Sequence, residues 1–224
     1  MTPGEVAGIA ALTLQVGAAA TLLATPPAVA LGLLLARRDF PGKPWLQAGV
    51  ALPMVLPPVA VGLGLLILLG RHGPLGALWE ALGVQLVFTR GAAVLAAAVV
   101  GFPLLVRACE QAFAEVDPRL ERVARSLGAG RLRVFFRITL PLARRGVLYG
   151  ALLAFTRALG EFGATAVVAG ILPGRTETLA LGIYSRVQLG DDVAALWLCA
   201  ASFALALAAM VCAETWLRGR PRAS

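Results

Sequence analysis

Five long apolar runs, each nearly free of charge, constrain this chain more than anything else in it. Residues 8–36, 46–70 and 193–213 contain no Asp, Glu, Lys or Arg. Residues 91–106 are also uncharged and end at Arg107, whose long side chain can snorkel outward. Residues 146–172 carry only Arg157 and Glu161. About 20 helical residues cross roughly 30 Å of hydrocarbon, so each run is long enough, or nearly so, to span a membrane. The expected fold is an all-α membrane protein of about five transmembrane helices, near 8–36, 46–70, 88–108, 146–172 and 193–216. One membrane domain, 8–217, accounts for the 224 residues, followed by a short basic tail at 218–224. Composition agrees. The chain is 59% hydrophobic and only 14% charged, where soluble domains carry roughly a quarter charged residues and disorder needs low hydrophobicity. The first run is too long for a cleaved signal peptide, and no basic residue precedes it. It leads instead into Arg37 and Arg38, a stop-transfer flank. No extra domain is expected after the fifth run.

The net charge of +8 raises nucleic acid as a partner. Its distribution answers otherwise. Fifteen of the 20 Lys and Arg residues fall on one side of the expected spans, in 37–43, 107–145 and 218–222. The other side holds Arg71, Arg90, Arg175 and Arg186 and slightly more acid than base. An excess of Lys and Arg marks the cytoplasmic side, which places the N-terminus outside and the C-terminus inside. The same charge serves contact with anionic lipid, so no nucleic-acid partner is expected.

Most of the polar content lies in the segment 109–145, between the third and fourth runs. Asp117 followed by Pro118 reads as a helix N-cap with proline in the first turn. Leu120, Val123, Ala124 and Leu127 then recur at i, i+3, i+4 and i+7, one apolar helix face, with Gly128 placed for a left-handed cap. A second basic amphipathic helix follows, apolar at Val134, Phe135 and Ile138, and is expected to end at Leu140-Pro141. Periodicity fits two roles for this helix pair: resting on lipid headgroups, or presenting a ridge to a cytoplasmic partner.

The residues Glu121, Arg122, Val123, Ala124, Arg125, Ser126, Leu127 and Gly128, followed after nine residues by Ile138, Thr139, Leu140 and Pro141, resemble the EAA motif of permease subunits of binding-protein-dependent ABC importers. Val123 replaces one of the motif alanines. The resemblance implies a type I importer permease whose cytoplasmic coupling helix sits in a groove of a separate ATPase. It assigns ATPase coupling to Leu120, Glu121, Val123, Ala124, Leu127, Gly128, Ile138, Leu140 and Pro141. Within the family, the stretches 52–59, 88–96, 102–108 and 157–165 are similar to molybdate permeases, so molybdate or tungstate is the expected cargo. Sulfate permeases share the element Gly160-Glu161-Phe162-Gly163 and keep sulfate as the alternative. The polar order in 173–179 departs from the molybdate pattern. The family further implies a homodimer, two cytoplasmic ATPase subunits, an extracytoplasmic binding protein and the inner membrane of a prokaryote. No cofactor is expected on this chain, with ATP and Mg on the partner ATPase. The only lysine, Lys43, is followed by Pro44 and lacks a glycine-rich lead, so no P-loop is present.

In the fourth run, Gly146, Gly150, Ala154 and Ala158 form a small-residue stripe suited to close packing. Arg157 and Glu161 stand at i and i+4 and can reach each other on a helix. Arg157 lies about 16 Å beyond residue 146 at 1.5 Å per residue, near mid-membrane. Ionisable groups there cost roughly 2.5 kcal/mol or more and face a cavity or a partner. Two roles are open: a self-neutralising pair that locks packing, or a translocation gate in which Arg157 offsets desolvation of a dianion and Glu161 keeps that attraction weak. Gly160 and Gly163 flank Glu161 and complete the candidate gate.

Other classes find little support. An intramembrane enzyme needs a nucleophile with a base, or a clustered metal site. His72 is the lone histidine, Cys109, Cys199 and Cys212 are scattered through apolar sequence, and no serine has a base nearby. A stand-alone secondary transporter often shows internal repeats, and none is evident. On the outer side, Leu179, Ile183 and Val187 suggest one short amphipathic helix.

Overall fold

The computed structural model describes residues 1–83 and 85–218, without the side chains of residues 77, 213, 214 and 216–218. Beyond Arg218, the expected basic tail lies outside the described residues. All regular structure among the described residues is helical.

The first helix, α1 (Pro3–Arg37), opens on a capping box. Glu5 N–H donates to Thr2 Oγ1 (3.3 Å) and Thr2 N–H to Glu5 Oε2 (2.7 Å). It continues through Pro26 and Pro27. Its 35 residues span about 52 Å at 1.5 Å each, so it projects beyond a hydrocarbon core.

The run 46–70, expected as one span, is two helices, α2 (Lys43–Val55) and α3 (Pro58–Leu69), bent by 110°. The cause is local. Leu56 precedes a proline and is extended (ψ 144°), and Pro58 starts α3 where its missing N–H costs nothing. A short helix, α4 (Gly76–Ala81), follows. Next, α5 (Arg90–Ala114) is capped by Thr89, whose hydroxyl accepts from Ala92 N–H. Then come α6 (Pro118–Ser126) and α7 (Arg131–Val134).

Leu140-Pro141 does not end the second amphipathic helix. A π-helical turn, Phe135–Thr139, joins α7 to α8 (Leu140–Leu159), and Leu140 N–H donates five residues back to Phe135 O. The wide turn accommodates Pro141, which lacks an N–H and would clash in a regular helix. One helical span therefore runs from Arg131 to Leu159. The fourth expected span, 146–172, begins earlier than expected and is broken after Leu159, with α9 (Gly163–Ala169) beyond the break. Then come α10 (Leu179–Gln188) and α11 (Asp192–Arg218). Among the described residues, four helices are long and apolar enough to cross a membrane, or five when the bent pair α2–α3 counts as one span.

The core is the triangle of α1, α5 and α8, with α3 on α9 and α10 on α11 at its flanks. Its contact surfaces are built from small residues: Ala20, Ala24 and Ala28 of α1 and Ala92, Ala93, Ala96 and Ala97 of α5 are buried. The predicted stripe of α8 faces α5. A methyl group added at Gly150 would sit 2.5 Å from Ala108 Cβ and 3.2 Å from Leu105 Cδ1. Helix approach here requires the missing side chain. Gly150→Ala is therefore expected to cost about 1–3 kcal/mol by overpacking, read as a lower thermal midpoint of the purified chain. An unchanged midpoint would contradict the α5–α8 contact.

Candidate functional site

At the end of the bundle rich in arginine, α6 is held by its glutamate. Glu121 is 8% exposed. Its Oε1 lies 2.8 Å from Arg37 Nη2 at the end of α1 and accepts from Thr139 Oγ1 (3.0 Å) in the π-helical turn. Its Oε2 lies 3.3 Å from Arg125 Nη2 on α6 itself. Arg37 Nη2 also donates to Val116 O at 2.9 Å. One carboxylate thus ties together α6, the end of α1 and the base of α8, reaching Arg37 across 84 residues of sequence and Thr139 across 18.

Local signals set the bounds of α6 as expected. Asp117 caps it by accepting from Arg119 N–H (2.8 Å), with Pro118 in the first turn. Gly128 is left-handed (φ 84°). Gly128 N–H bonds Arg125 O and Ala129 N–H bonds Ala124 O, the paired bonds of a Schellman end.

The apolar face of α6 is turned outward. Leu120, Val123 and Leu127 are 47%, 58% and 83% exposed, and Ala124 is half-buried. At 100° per residue, this face lies about 160° around the helix from that of Pro118, Glu121, Arg122 and Arg125. The helix is therefore pinned on one side and offers a ridge on the other. Leu132 and Phe136 are exposed as well. Sequence periodicity passed over both because it followed Val134, Phe135 and Ile138. Of those, Val134 is buried, while Phe135, Ile138 and Leu140 are half-buried and Pro141 is exposed. The Phe135 ring packs toward Phe113 of α5, with centroids 6.3 Å apart.

The residues of the second candidate site also come together, though not on a continuous helix. Gly160 caps the end of α8 with open space around its Cα, so it marks the break rather than a close contact. Glu161 is 3% exposed. Its Oε1 accepts from Ala164 N–H at 2.9 Å, capping α9, and its Oε2 lies 2.8 Å from Arg157 Nη1. The Arg157 side chain stays 35% exposed. Gly163 supplies a close approach: a methyl there would meet Pro58 Cβ at 2.8 Å. The break in the fourth span is thereby packed on the start of α3, just past the bend in the second. Phe162 at the break packs against Tyr184 of α10, with centroids 4.9 Å apart and the rings tilted by 50°.

The opposite end holds polar groups that charge counting assigns to the outer side. Thr176, Glu177 and Thr178 are buried. Glu177 Oε1 lies 3.4 Å from Arg186 Nη2 of α10. Thr13 of α1 donates to Ile9 O (2.8 Å) and accepts from Leu179 N–H (2.9 Å), capping α10 from another helix. The helix expected from Leu179, Ile183 and Val187 is α10, but it buries Leu179, Leu181 and Gly182 while Val187 is exposed. Arg90 reaches across from α5 to donate to the carbonyls of Gly174 and Arg175 (3.0 Å each). None of these long-range pairs leaves a periodic trace in the sequence.

Comparison with known proteins bears on the family and the fold. The family described as binding-protein-dependent transport system inner membrane component matches residues 28–222. The chain is 46% identical over 208 residues to the molybdenum transport system permease protein ModB of Escherichia coli strain K12, covering 92% of this chain and 90% of that protein. It is 35% identical to the sulfate transport system permease protein CysW of Synechocystis, over 88% of this chain and 72% of that protein. A solved structure, the MetNI methionine ABC transporter in inward facing conformations, superposes with a TM-score of 0.75, covering 99% of this chain and 100% of that one. At 18% identity that likeness establishes the fold.

Proposed function

We propose a function from one premise: the chain belongs to the family of binding-protein-dependent transport system inner membrane components. It is a membrane-embedded permease subunit of an ABC importer and has the type I importer fold. Its cargo is molybdate, on the strength of the 46% identity with the molybdenum permease. Tungstate is the same kind of tetrahedral dianion. Sulfate is the second reading, favoured by the 35% identity with a sulfate permease.

Two copies of the chain would enclose the path, with two ATPase subunits docked at the arginine-rich end and a binding protein at the other. ATP and Mg would belong to the ATPases. The arginine-rich end would then face the cytoplasm, in line with the charge bias. One observation carries the mechanical part: an exposed apolar ridge on a helix whose other face is pinned by a buried glutamate. A groove on the ATPase that closes on Leu120, Val123 and Leu127 would move α6. Glu121 would pass that motion to α1 through Arg37 and to α8 through Thr139. The Arg131–Leu159 span, about 43 Å long at 1.5 Å per residue, would carry it to Arg157 and Glu161. There a dianion would compete with Glu161 for the Arg157 guanidinium.

The first test is to solubilise the tagged chain from its native membranes and identify what co-purifies. Equal amounts of an ABC ATPase would support the reading, and a recovered binding protein titrated with molybdate, tungstate and sulfate would name the cargo. Recovery of the chain alone from several mild detergents would count against the ridge as a docking surface. Val123→Asp with Leu127→Asp is expected to cut ATPase recovery at least tenfold, because each apolar side chain contributes about 2 kcal/mol on burial. The thermal midpoint of the permease should not move, since both positions are exposed.

A further inference from the structure

We propose that the cavity between α1, α6 and α7 is a binding site for the headgroup of an anionic phospholipid. The cavity has a volume of about 800 Å³ and is lined by Arg37, Arg38, Arg122, Arg125 and Arg131, with Glu121 the single acid among its lining residues. Arg37 and Arg125 pair with Glu121. Arg38, Arg122 and Arg131 have no acidic partner within 4 Å among the described residues, and all three are exposed. The end of α1, α6 and α7 thus bring basic groups around one space, with a surplus of positive charge that attracts phosphate.

Two features select a lipid over a free anion. The cavity wall changes character along α1, from Leu33 and Leu34 to Arg37 and Arg38, at the level where the first apolar run ends. A ligand that fits both parts has an anionic head and an apolar body. Phe135 adds apolar wall from the π-helical turn. The cavity also stays accessible under the proposed docking. It uses the Pro118, Glu121, Arg122 and Arg125 face of α6, opposite the ridge of Leu120, Val123 and Leu127. A headgroup seated there would bridge α6 to α1 through the same corner that Glu121 holds.

The test measures lipid binding and is independent of transport. The full-length chain, purified in mild detergent and stripped of lipid, is titrated with phosphatidylglycerol or phosphatidylcholine and read by native mass spectrometry. The wild type is expected to prefer phosphatidylglycerol at least about tenfold, given the contribution of each basic residue at a membrane surface. R38Q/R122Q/R131Q should lose that preference with an unchanged thermal midpoint, because these three side chains hold no ion pair. R38K/R122K/R131K should keep it. Arg37 and Arg125 are left in place, since they hold Glu121. Equal preference in the glutamine triple and the wild type would overturn the proposal, as would its loss in the lysine triple. Displacement of the lipid by excess inorganic phosphate would reassign the cavity to a free anion. Displacement by the purified ATPase subunit would reassign it to a protein partner. Either result overturns the lipid site.

Discussion

Glu121→Ala is expected to give a chain that still inserts into the membrane but has a loosened arginine-rich end and little uptake. The reason is the number of groups that one carboxylate satisfies. With Glu121 gone, Arg37, 17% exposed, keeps only the Val116 carbonyl. The buried Thr139 hydroxyl loses its side-chain partner as well. Removing one member of a buried ion pair costs roughly 3–5 kcal/mol, because the other charge is left uncompensated. Arg125, half exposed, adds little, so about 3 kcal/mol is expected. Glu121→Gln keeps an acceptor for Thr139 and Arg37 and should lose about half as much. The readouts are the thermal midpoint, protease sensitivity around residues 115–130, and oxyanion uptake at equal expression, which should fall at least tenfold. A double-mutant cycle with Arg37→Ala isolates the pair. The two losses should fall short of additivity by about 2 kcal/mol, and strict additivity would contradict the assignment of Glu121 as the joint between α6 and α1.

The parts of this architecture that were readable in advance are those encoded locally. Apolar run length pointed to an all-helical chain with helices long enough to cross a membrane, and the Asp117-Pro118 and Gly128 signals bounded α6 within a residue or two. Spacing alone put the small stripe of α8 on one face, and the structure sets that face against α5. The breaks were harder, although their residues were in view. Pro57-Pro58 sits inside an uncharged run, and in a bundle such a proline can either kink a helix or pass through it. Pro26 and Pro27 stay within α1, while Pro57 and Pro58 turn the chain by 110°. Pro141 shows the converse: a proline expected to end a helix is absorbed by a π-helical turn. The least legible features join distant segments. Arg37 read as a topology flank, and its role as the partner of Glu121 depends on how α1 and α6 meet. Glu177 counts in the sequence only as an acid of the outer side, yet it is buried beside Arg186. Charge counting locates a residue on a side of the membrane and carries no information on what it touches there.

The second large effect is expected at Arg157 and Glu161, where a path and a packing lock make opposite forecasts. Glu161 does two jobs: it caps α9 through Ala164 N–H and it faces Arg157. Glu161→Gln preserves the cap acceptor and removes the charge. Glu161→Ala removes both and should cost about a further 1 kcal/mol for the lost cap. Arg157→Ala leaves the Glu161 carboxylate, whose side chain is 2% exposed, with its cap but without a counter-charge, so stability should fall by roughly 3 kcal/mol. Uptake at equal expression should fall between about tenfold and a hundredfold, the worth of one charge-assisted contact to the passing dianion. The decisive variant is Arg157→Leu with Glu161→Gln. A pair that only packs can be replaced by neutral residues of similar volume without penalty, so under a packing role this double variant would regain both stability and uptake. Under the path role it regains stability while uptake stays low, because no other basic residue lies between 146 and 172 to meet the anion. Recovery of uptake to the wild-type level in that variant would remove Arg157 from the translocation path.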